Sequence, residues 1–583
     1  MGSVKLAEYL FTRLRQLGVG SVHGVPGDFN LTMLDHVEPA GLTWVGNANE
    51  LNAAYAADGY ARIKGLGAVV TTFGVGELSA INAIAGAYAE FAPVVHIVGT
   101  PARQVQETRT LVHHTLKDGE FGRFALMAKQ VTVAQTRLWE LALCAQQVDD
   151  VLAKCLFYCR PVYIELPVDM VDAEVSRDRL SVPITVPGPE AWPATDDVVA
   201  AIVAKMQAAR RPIIYVDGES RPLRIVDAVQ QLVSALHWPT FTSPFGKGLV
   251  DETQANVHGV YQGQWGQKAV HDFVRSADLV LCFGPHLSGT NTYMWTSIPQ
   301  DGEMISFNLS GIKIGADHFR DVSSQLVLSR LLEQHLDKTS IKTYDPYPAL
   351  PRYELLAASA LAAPADDVIR QDKVWKVLAN LIKPGDIVMG ETGTPGFGVR
   401  EMPMQKHCRV FTHVTWLSIG YMLPAAQGAA LAQKELMAAS RWHGGIERAK
   451  TVLFIGDGSF QMTAQEMSTM IRHNLDVVVV LINNDGYSIE RFIHGRKQAY
   501  NDIARWRYLE APSFFGAPRD TFTASARTWG ELGAVLDSGK LTSGRGLAML
   551  EVVMEREDAP PGQLQKVLQV QIAKEQQPTT ARI

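Results

Sequence analysis

The sequence predicts an α/β protein of three domains, each built on a mostly parallel sheet. Short apolar runs that end in small polar residues alternate with helical patterns over three segments, residues 1–182, 198–345 and 360–583. The stretches between them, 183–197 and 342–356, are rich in proline and polar residues, which is typical of linkers. We therefore place the domain boundaries in these two stretches.

The first segment opens with an amphipathic helical pattern, VKLAEYLFTRLRQLG, followed by an apolar strand that ends at VPGDF and so places Asp28 at a strand end. The next strand region, LTWVGNANE, ends at Glu50 before an alanine-rich helix. The stretch TTFGVGELSA lacks the third glycine of a dinucleotide loop and indicates a tight turn into a buried helix. His113 and His114 are adjacent in a predicted loop. Taken singly, each of these polar residues has an ordinary structural interpretation.

The middle segment again alternates, with strand patterns in PIIYVDG, PTFTSPFGKG and DLVLCFG. It contains no constellation of catalytic residues in its sequence. We therefore interpret it as a structural or regulatory domain.

The third segment holds the clearest pattern in the chain. Residues 451–455 and 477–482 are short β-branched runs, and methionines recur at helical spacing between them, which predicts a strand–helix–strand unit. Earlier in the segment, a strand over residues 387–389 ends in GETGT, and residues 413–432 form a turn followed by an alanine-rich helix. The stretch 434–450 is predicted to be a surface excursion.

The ends of the two strands in that unit predict a metal site. Ligands of parallel sheets bind beyond the carboxyl ends of the strands, where this chain has GDGS and NNDG. The Asp457 carboxylate, the Asn484 amide oxygen and the Gly486 carbonyl are hard oxygen ligands that suit Mg²⁺ with places kept for phosphates. Gly458 lets the backbone approach closely, and the helix behind it offers N–H groups to an anion.

The composition limits the possible classes of protein. The 583 residues are 47% hydrophobic and 20% charged, with a net charge of −6 and no basic tract that favours nucleic acid. The five cysteines are scattered, which favours reduced thiols in the cytoplasm. No apolar run approaches the length of a membrane span. The final residues Ala581-Arg582-Ile583 resemble a peroxisomal signal only loosely, so we prefer the cytoplasm.

A resemblance to a known family covers nearly the whole chain. GDG followed by 24 residues and NN resembles the thiamine-diphosphate fingerprint, in which a metal clamps the diphosphate. Together with VPGDFNL, NANELNAAYAADGYAR, HHTLKDGEF, ETGT, WLSIGY and NNDGYSIERFIHG, this makes the chain similar to the pyruvate decarboxylase family. The resemblance implies that the first domain binds the aminopyrimidine, that the third binds the diphosphate and Mg²⁺, and that the active site forms between two subunits of a homodimer or homotetramer.

The resemblance also implies roles for individual residues. Asp457, Asn484 and the Gly486 carbonyl would bind the metal. Asp28, His113, His114 and Glu490 would surround the substrate and relay protons, and Glu50 would hydrogen-bond the pyrimidine ring. Contacts with the cofactor would come from Glu50, Thr394, Leu417, Ser418, Ile419, Gly458, Ser459, Asn484, Asp485, Gly486, Tyr487, Ser488 and Ile489.

Two positions depart from the family pattern. Leu417 stands where many members have glycine in WGSIG, although its backbone carbonyl can still receive the cofactor's 4′-amino group. Glu219 stands where some yeast-type members have a cysteine linked to substrate activation. We therefore expect no activation through a thiol at that position.

The site motifs and the family resemblance together imply non-oxidative decarboxylation of a 2-oxo acid to an aldehyde, with pyruvate as the first choice of substrate. The alternatives are a decarboxylase of a larger aromatic or branched 2-oxo acid, and a carboligase that forms an acyloin. A carboxyl–imidazole cluster of proton donors favours release of the aldehyde. A catalytically silent regulatory homologue ranks last, because Glu50, Asp457 and the acid cluster are all present.

Overall fold

The computed structural model describes residues 2–299, 304–335, 341, 344, 346–352, 355–356 and 364–576. Much of the predicted linker 342–356, the expected start of the third domain at residue 360, the end of the middle segment at residue 345 and the terminal Ala581-Arg582-Ile583 lie outside the described residues. Within the described residues, three sheets of six or seven strands follow one another along the chain. The α/β class with parallel sheets is confirmed.

The first sheet has six parallel strands. Across the sheet they lie in the order Thr43–Trp44, Ser21–Gly24, Gly67–Thr72, Val94–Thr100, Val162–Pro167 and Ala134–Arg137. The helices of this part are Leu6–Gln16, Leu31–Leu34, Glu50–Lys64, Val75–Ala89, Arg103–Glu107, Arg123–Ala128 and Leu141–Tyr158. A two-stranded antiparallel sheet pairs Ser3–Lys5 with Glu174–Ser176 and so joins the two ends of the segment.

The third sheet also has six parallel strands. Across the sheet they lie in the order Arg409–Thr412, Ile387–Gly390, Thr451–Gly456, Val477–Asn483, Ala548–Val553 and Thr523–Ala526. Its helices are Gln371–Leu378, Thr394–Glu401, Met422–Ala438, Asp457–Thr463, Met467–Arg472, Ser488–Ile493, Ala511–Phe514, Trp529–Asp537, Lys540–Ser543 and Gln563–Gln576. Numbered by appearance along the chain, the strands of both outer sheets lie in the order 2-1-3-4-6-5. The two outer domains therefore share one topology.

The middle sheet has seven strands, of which the last two form an antiparallel extension. Across the sheet they lie in the order Val257–Val260, Thr240–Thr242, Pro212–Val216, Leu279–Phe283, Met304–Asn308, Gly311–Ile314 and Asp317–Phe319. The helices are Ala194–Ala208, Val226–Leu236, Lys268–Arg275 and Ser324–Arg330. The first of these begins inside the stretch 183–197 that we predicted as linker.

The central strands are buried on both faces because helices cover both sides of each sheet. Strands Gly67–Thr72 and Val94–Thr100 are buried at every position, and Val477–Asn483 is buried at all but its last. One continuous apolar core joins the first and third domains, while the middle domain has its own. In the part of the chain that the structure describes, no helix combines the length and apolar character needed to span a bilayer.

The helix Glu50–Lys64 crosses the helix Met422–Ala438 at backbone contact. A Cβ atom on Gly59 would lie 2.0 Å from the Ala425 carbonyl oxygen, and one on Gly428 would lie 1.8 Å from that of Ala56. Since no side chain fits at either position, the two glycines set how closely the first and third domains approach.

Some local predictions were wrong. The second strand covers only Thr43–Trp44, and Glu50 begins a helix instead of ending a strand, because Asn49 caps that helix by accepting a hydrogen bond from Asn52. The stretch 434–450 is not simply a surface excursion, since Trp442 is 2% exposed in the shared core. The helix between the two strands of the third unit is interrupted by a 3₁₀ turn.

Candidate active site

Two neighbouring strands of the third sheet bring the predicted metal ligands together. Thr451–Gly456 and Val477–Asn483 pair in parallel, so Asp457 and Asn484 follow them at the same edge. The Asp457 carboxylate is 1% exposed and accepts hydrogen bonds from the backbone N–H groups of Gly458 at 2.8 Å and Gly486 at 3.0 Å. Burial raises the pKa of Asp457 to about 6, although these backbone donors oppose the shift.

The oxygen atoms around Asp457 fit a divalent cation. The Asn484 amide lies 3.2 Å from both Asp457 Oδ1 and the Gly486 carbonyl oxygen. With the amide oxygen on this side, three acceptors face one another, an arrangement that a bound cation would satisfy. Adjacent oxygen ligands in an octahedral magnesium site are about 2.9 Å apart, given Mg–O distances near 2.1 Å. A cation bound between these oxygens would remove their mutual repulsion. The donor set therefore suits Mg²⁺.

Glycine is required at two positions of this edge. Gly486 has φ of +123°, and a Cβ atom there would lie 2.4 Å from the Asn501 carbonyl oxygen. A Cβ atom on Gly458 would lie 2.6 Å from the ring of Tyr487. Any larger residue would move either the metal-facing carbonyl or the aromatic ring.

The loop that follows Asn484 has charged surroundings at its start and apolar surroundings at its end. Asp485 pairs with Arg556 and, at 3.4 Å, with Arg505, so its carboxylate faces these arginines. Ser488 is buried against the Asn484 amide, and Ile489 packs on an apolar cluster that contains Phe492. The predicted cofactor contacts in this loop thus include one residue, Asp485, whose side chain is already paired.

Two helix starts lie at the ends of strands of the same sheet. Thr394 begins the helix Thr394–Glu401 four residues after the strand Ile387–Gly390 ends, and Gly393 before it has φ of +123°. Ser459 lies in the first turn of the helix that starts at Asp457. Their free backbone N–H groups are suited to the diphosphate of a cofactor.

The segment His413–Gly420, which we call the cofactor turn, is held by a buried carboxylate of the first domain. Glu90 is 1% exposed, and its Oε1 accepts hydrogen bonds from the backbone N–H groups of Val414 at 3.2 Å, Thr415 at 2.8 Å and Trp416 at 3.1 Å. The Trp416 indole N–H donates to Asn82 at 3.0 Å. The turn is therefore fixed from the neighbouring domain.

Leu417, Ser418 and Ile419 occupy the centre of the cofactor turn and are half-buried. Leu417 has φ of +56°, in the left-handed region that favours glycine. Glycine would adopt this conformation without strain, whereas leucine needs support from its surroundings. The Ser418 hydroxyl lies 2.8 Å from the Tyr55 hydroxyl.

Glu391 connects the ETGT loop to the start of the helix Met422–Ala438, which follows the cofactor turn, and sequence reasoning missed this role. It is fully buried, and its carboxylate accepts from the N–H groups of Thr392 at 2.7 Å and Met422 at 2.9 Å. Burial raises the pKa of Glu391 to about 7, with the backbone donors opposing the shift. An acidic residue at the end of a buried strand was the signal that could have revealed it.

The loops of the first sheet bring Asp28 and the two adjacent histidines together. His113 Nε2 lies 2.7 Å from Asp28 Oδ2, and His114 Nε2 lies 3.9 Å from Asp28 Oδ1. The Phe29 ring lies 5.1 Å from the His113 ring. The backbone of His114 packs on Gly74, where a Cβ atom would lie 2.3 Å from the His114 carbonyl oxygen. The predicted carboxyl–imidazole cluster is therefore present as geometry.

Glu50 and Glu490 lie apart from that cluster. Glu50 is half-buried. Its Oε1 would lie 3.2 Å from a Cβ atom on Gly76, which lies in the first turn of the helix Val75–Ala89. Glu490 is exposed on the short helix Ser488–Ile493 of the third domain. Among the described residues of one chain, no hydrogen bond or ion pair joins the residues predicted on the first sheet to those predicted on the third.

Comparison with known proteins identifies three family domains in the chain. Residues 4–120 match the thiamine pyrophosphate enzyme N-terminal TPP binding domain, residues 199–334 its central domain and residues 391–527 its C-terminal TPP binding domain. The chain is 51% identical over 563 residues to a pyruvate decarboxylase of Aspergillus parasiticus, with 96% of each chain covered. It is 37% identical over 562 residues to pyruvate decarboxylase isozyme 1 of Saccharomyces cerevisiae, covering 96% of this chain and 97% of that one.

A solved structure has the same fold at low sequence identity. The thiamine diphosphate-dependent 4-hydroxybenzoylformate decarboxylase of Rhodococcus jostii superposes with a TM-score of 0.73 at 16% identity. The match covers 95% of this chain and 99% of that chain. It supports the three-domain architecture.

Proposed function

The chain belongs to the pyruvate decarboxylase family of thiamine-diphosphate-dependent 2-oxo acid decarboxylases, and we propose that it converts pyruvate to acetaldehyde and carbon dioxide. The observation that carries this choice of substrate is the similarity to fungal pyruvate decarboxylases over nearly the full chain. The contact between Asp28 and His113 supports release of an aldehyde, since it keeps a proton donor near a strand end.

We assign cofactor activation to Glu50. When bound, thiamine diphosphate accepts the electron pair that remains as carbon dioxide leaves. The carboxyl group of Glu50 would hydrogen-bond a ring nitrogen of the aminopyrimidine, so that the neighbouring amino group could serve as the internal base. A fixed position at a capped helix start suits this task, because proton transfer requires a constant distance.

The Asp28–His113–His114 cluster supplies protons to the substrate side. His113 Nε2 lies 2.7 Å from Asp28 Oδ2, so this pair would hold a proton beside the substrate and supply it as the aldehyde is released. His114 would hydrogen-bond the substrate oxygen. Glu490 of a second copy of the chain would complete this cluster.

The metal end of the site orients the cofactor. Asp457, Asn484 and the Gly486 carbonyl would hold Mg²⁺, which binds the diphosphate. The Leu417 carbonyl would accept from the amino group of the pyrimidine, and the Ile419 side chain would pack against the cofactor. Thr394, Gly458, Ser459, Asp485, Tyr487, Ser488 and Ile489 complete the contacts with the cofactor.

We further propose that two copies of the chain form each site, within a homodimer or a dimer of dimers. Apolar side chains are exposed beside both halves of the site. Val75 and Leu116 are 53% and 55% exposed near the first-sheet cluster, and Met462 and Ile493 are 46% and 57% exposed near the metal residues. Such exposure next to polar residues that would act together is typical of an interface.

A cytoplasmic location is part of the proposal. All five cysteines are free, which suits a reducing compartment. A tagged chain seen in peroxisomes would contradict this location.

Incubation of purified protein, thiamine diphosphate and Mg²⁺ with a panel of 2-oxo acids tests the choice of substrate. We expect acetaldehyde and carbon dioxide from pyruvate, with turnover of aromatic and branched acids slower. Faster turnover of phenylpyruvate or a branched 2-oxo acid would contradict pyruvate as the substrate. An acyloin as the main product would contradict simple aldehyde release.

A further inference from the structure

The middle sheet reverses its strand order between Pro212–Val216 and Leu279–Phe283. Numbered along the chain, its five parallel strands lie in the order 3-2-1-4-5, with these two strands adjacent at the point of reversal. Open α/β sheets bind their ligands in the crevice that such a reversal leaves at the carboxyl ends of the strands. Glu219 follows the first of these strands and His286 follows the second.

The cofactor turn of the third domain occupies this crevice. His286 Nε2 lies 2.6 Å from Thr415 Oγ1, and His286 Nδ1 lies 2.9 Å from Glu219 Oε1. The side chains of Glu219 and His286 are only 15% and 16% exposed. The crevice at such a reversal commonly binds a small molecule, but here it binds Thr415, two residues before Leu417.

The backbone of His286 is held by a buried polar network. Its N–H donates to Asp217 Oδ2 at 2.7 Å, and Asp217 is fully buried. The Asn291 amide donates to the same carboxylate at 2.9 Å and to the His286 carbonyl at 2.8 Å. The Phe245 ring packs edge-on against the imidazole at 5.4 Å. These contacts fix the backbone that carries the imidazole, and the bonds to Glu219 and Thr415 orient the ring.

The bond to Thr415 does not depend on the charge of the imidazole. Since a carboxylate only accepts, Nδ1 carries hydrogen and donates to Glu219. Nε2 then accepts from the Thr415 hydroxyl when the ring is neutral and donates to its oxygen when the ring is charged. Burial lowers the pKa of His286. The carboxylates that face the ring, Glu219, Asp217 and Glu90, together raise the pKa by more than burial lowers it, so the net shift is upward.

The turn that His286 contacts needs external support. Leu417 has φ of +56°, a conformation that is strained for a residue with a branched apolar side chain. Strain of this kind persists only where surrounding contacts determine the conformation. Glu90 supplies three of these contacts to the backbone, and His286 supplies one to a side chain.

We propose that His286 is a positioning residue for the reaction: through Thr415 it holds the cofactor turn in the conformation that presents the Leu417 carbonyl to the cofactor. The inference rests on the proposed role of this turn in decarboxylation. It gives the middle domain a part in catalysis, which its own sequence pattern does not suggest.

The test compares Thr415→Val, which removes the hydroxyl at constant shape, with Thr415→Ser, which keeps it. His286→Phe removes both ring nitrogens and keeps a ring. We expect Thr415→Val and His286→Phe to weaken thiamine diphosphate binding and lower kcat about tenfold each, with KM for pyruvate changed less than about twofold. Thr415→Ser should stay within about twofold of wild type in all three quantities.

A second comparison uses Leu417→Gly, which removes the backbone strain. In that background Thr415→Val should reduce cofactor affinity much less than it does in the wild type, because the His286–Thr415 bond then has no backbone strain at position 417 to offset. Equal losses in both backgrounds, wild-type behaviour of Thr415→Val, or a rise in KM alone would each overturn the proposal. If wild-type protein leaves pyruvate unchanged, the proposed substrate fails, while cofactor affinity still tests the role of His286.

Discussion

The side-chain amide of Asn484 lies 3.2 Å from the carbonyl oxygen of Gly486 and at the same distance from Asp457 Oδ1. We expect Gly486→Ala to weaken Mg²⁺ and thiamine diphosphate binding at least about tenfold. The new Cβ would clash with the Asn501 carbonyl oxygen and so shift the backbone that carries the Gly486 carbonyl. Retention of both ligands after gel filtration measures this effect. Gly539→Ala is the matched control, since Gly539 also has positive φ but no atom within 4 Å of an added Cβ. Equal retention by the two variants would contradict the assignment.

The pH dependence of metal binding should follow Asp457. Its raised pKa of about 6 means that below this pH the carboxyl group is protonated and a cation must displace the proton. We therefore expect Mg²⁺ affinity to be constant above about pH 7 and to fall about tenfold per pH unit below about pH 6. Isothermal titrations from pH 5 to 8 check this. Asp457→Asn should bind more weakly with a shallower pH slope, and an unchanged slope would assign the titration elsewhere.

Glu77 should make the protein less stable at neutral pH and above than at pH 5. Its carboxylate is 4% exposed and bonds the Gly74 N–H and the Tyr163 hydroxyl at 2.8 Å each, while burial raises its pKa from 4.5 to about 7. A raised carboxyl pKa stabilises the folded state fully below about pH 4.5, and this stability is lost as pH rises through about 7.

Glu77→Gln removes this titration, and Tyr163 can turn its hydroxyl to accept from the new amide. Relative to wild type, the variant should gain at most about 3 kcal/mol of unfolding free energy between pH 5 and pH 8. Denaturant unfolding at the two pH values measures the gain. The exposed Glu447→Gln serves as control and should show none.

Glu50→Gln should keep the fold and the cofactor but lose about 10²–10⁴ in kcat, the usual range for a positioned proton-transfer group. Asn49 still caps the helix start in this variant, so a loss of activity with normal cofactor binding separates chemistry from folding. Near-normal kcat would remove Glu50 from the mechanism.

Subunit mixing tests whether Glu50 and Asp457 of different chains work together. Glu50→Gln and Asp457→Ala are each expected to be inactive. In a mixed dimer one site carries both defects and the other carries neither, so random exchange should restore roughly a quarter of wild-type activity. Proven exchange without recovery would show that each site is built within a single chain.

The strand ends of the third domain could be predicted because the signals are local. Asp457 and Asn484 each follow a buried apolar run, and parallel pairing brings such ends together. The histidine pair with Asp28 was predicted only through the family resemblance, since no spacing rule joins residues so far apart.

The contacts between domains could not be predicted in this way. Asn47 donates to Glu466 at 2.7 Å across 419 residues of sequence, and Glu90 binds a turn 324 to 326 residues later. Such bonds depend on how domains dock and leave no periodic pattern. Trp442 was misjudged for a similar reason, because polar neighbours in the sequence hid its place in a core shared by two domains.

The crossing of the helices at Gly59 and Gly428 has a consequence for genetic screens. A search for inactive variants would recover these two positions alongside the acidic and histidine residues, although neither glycine lies in any loop that faces a ligand. A methyl group at either one would push the helix that carries Glu50 away from its neighbour, so that every charged group stays present but the spacing between the two outer domains is lost. Mutational maps of this chain should therefore contain a second cluster of intolerant positions where these two helices cross. Substitutions there would impair activity by changing how the two domains are aligned, without removing a reacting group.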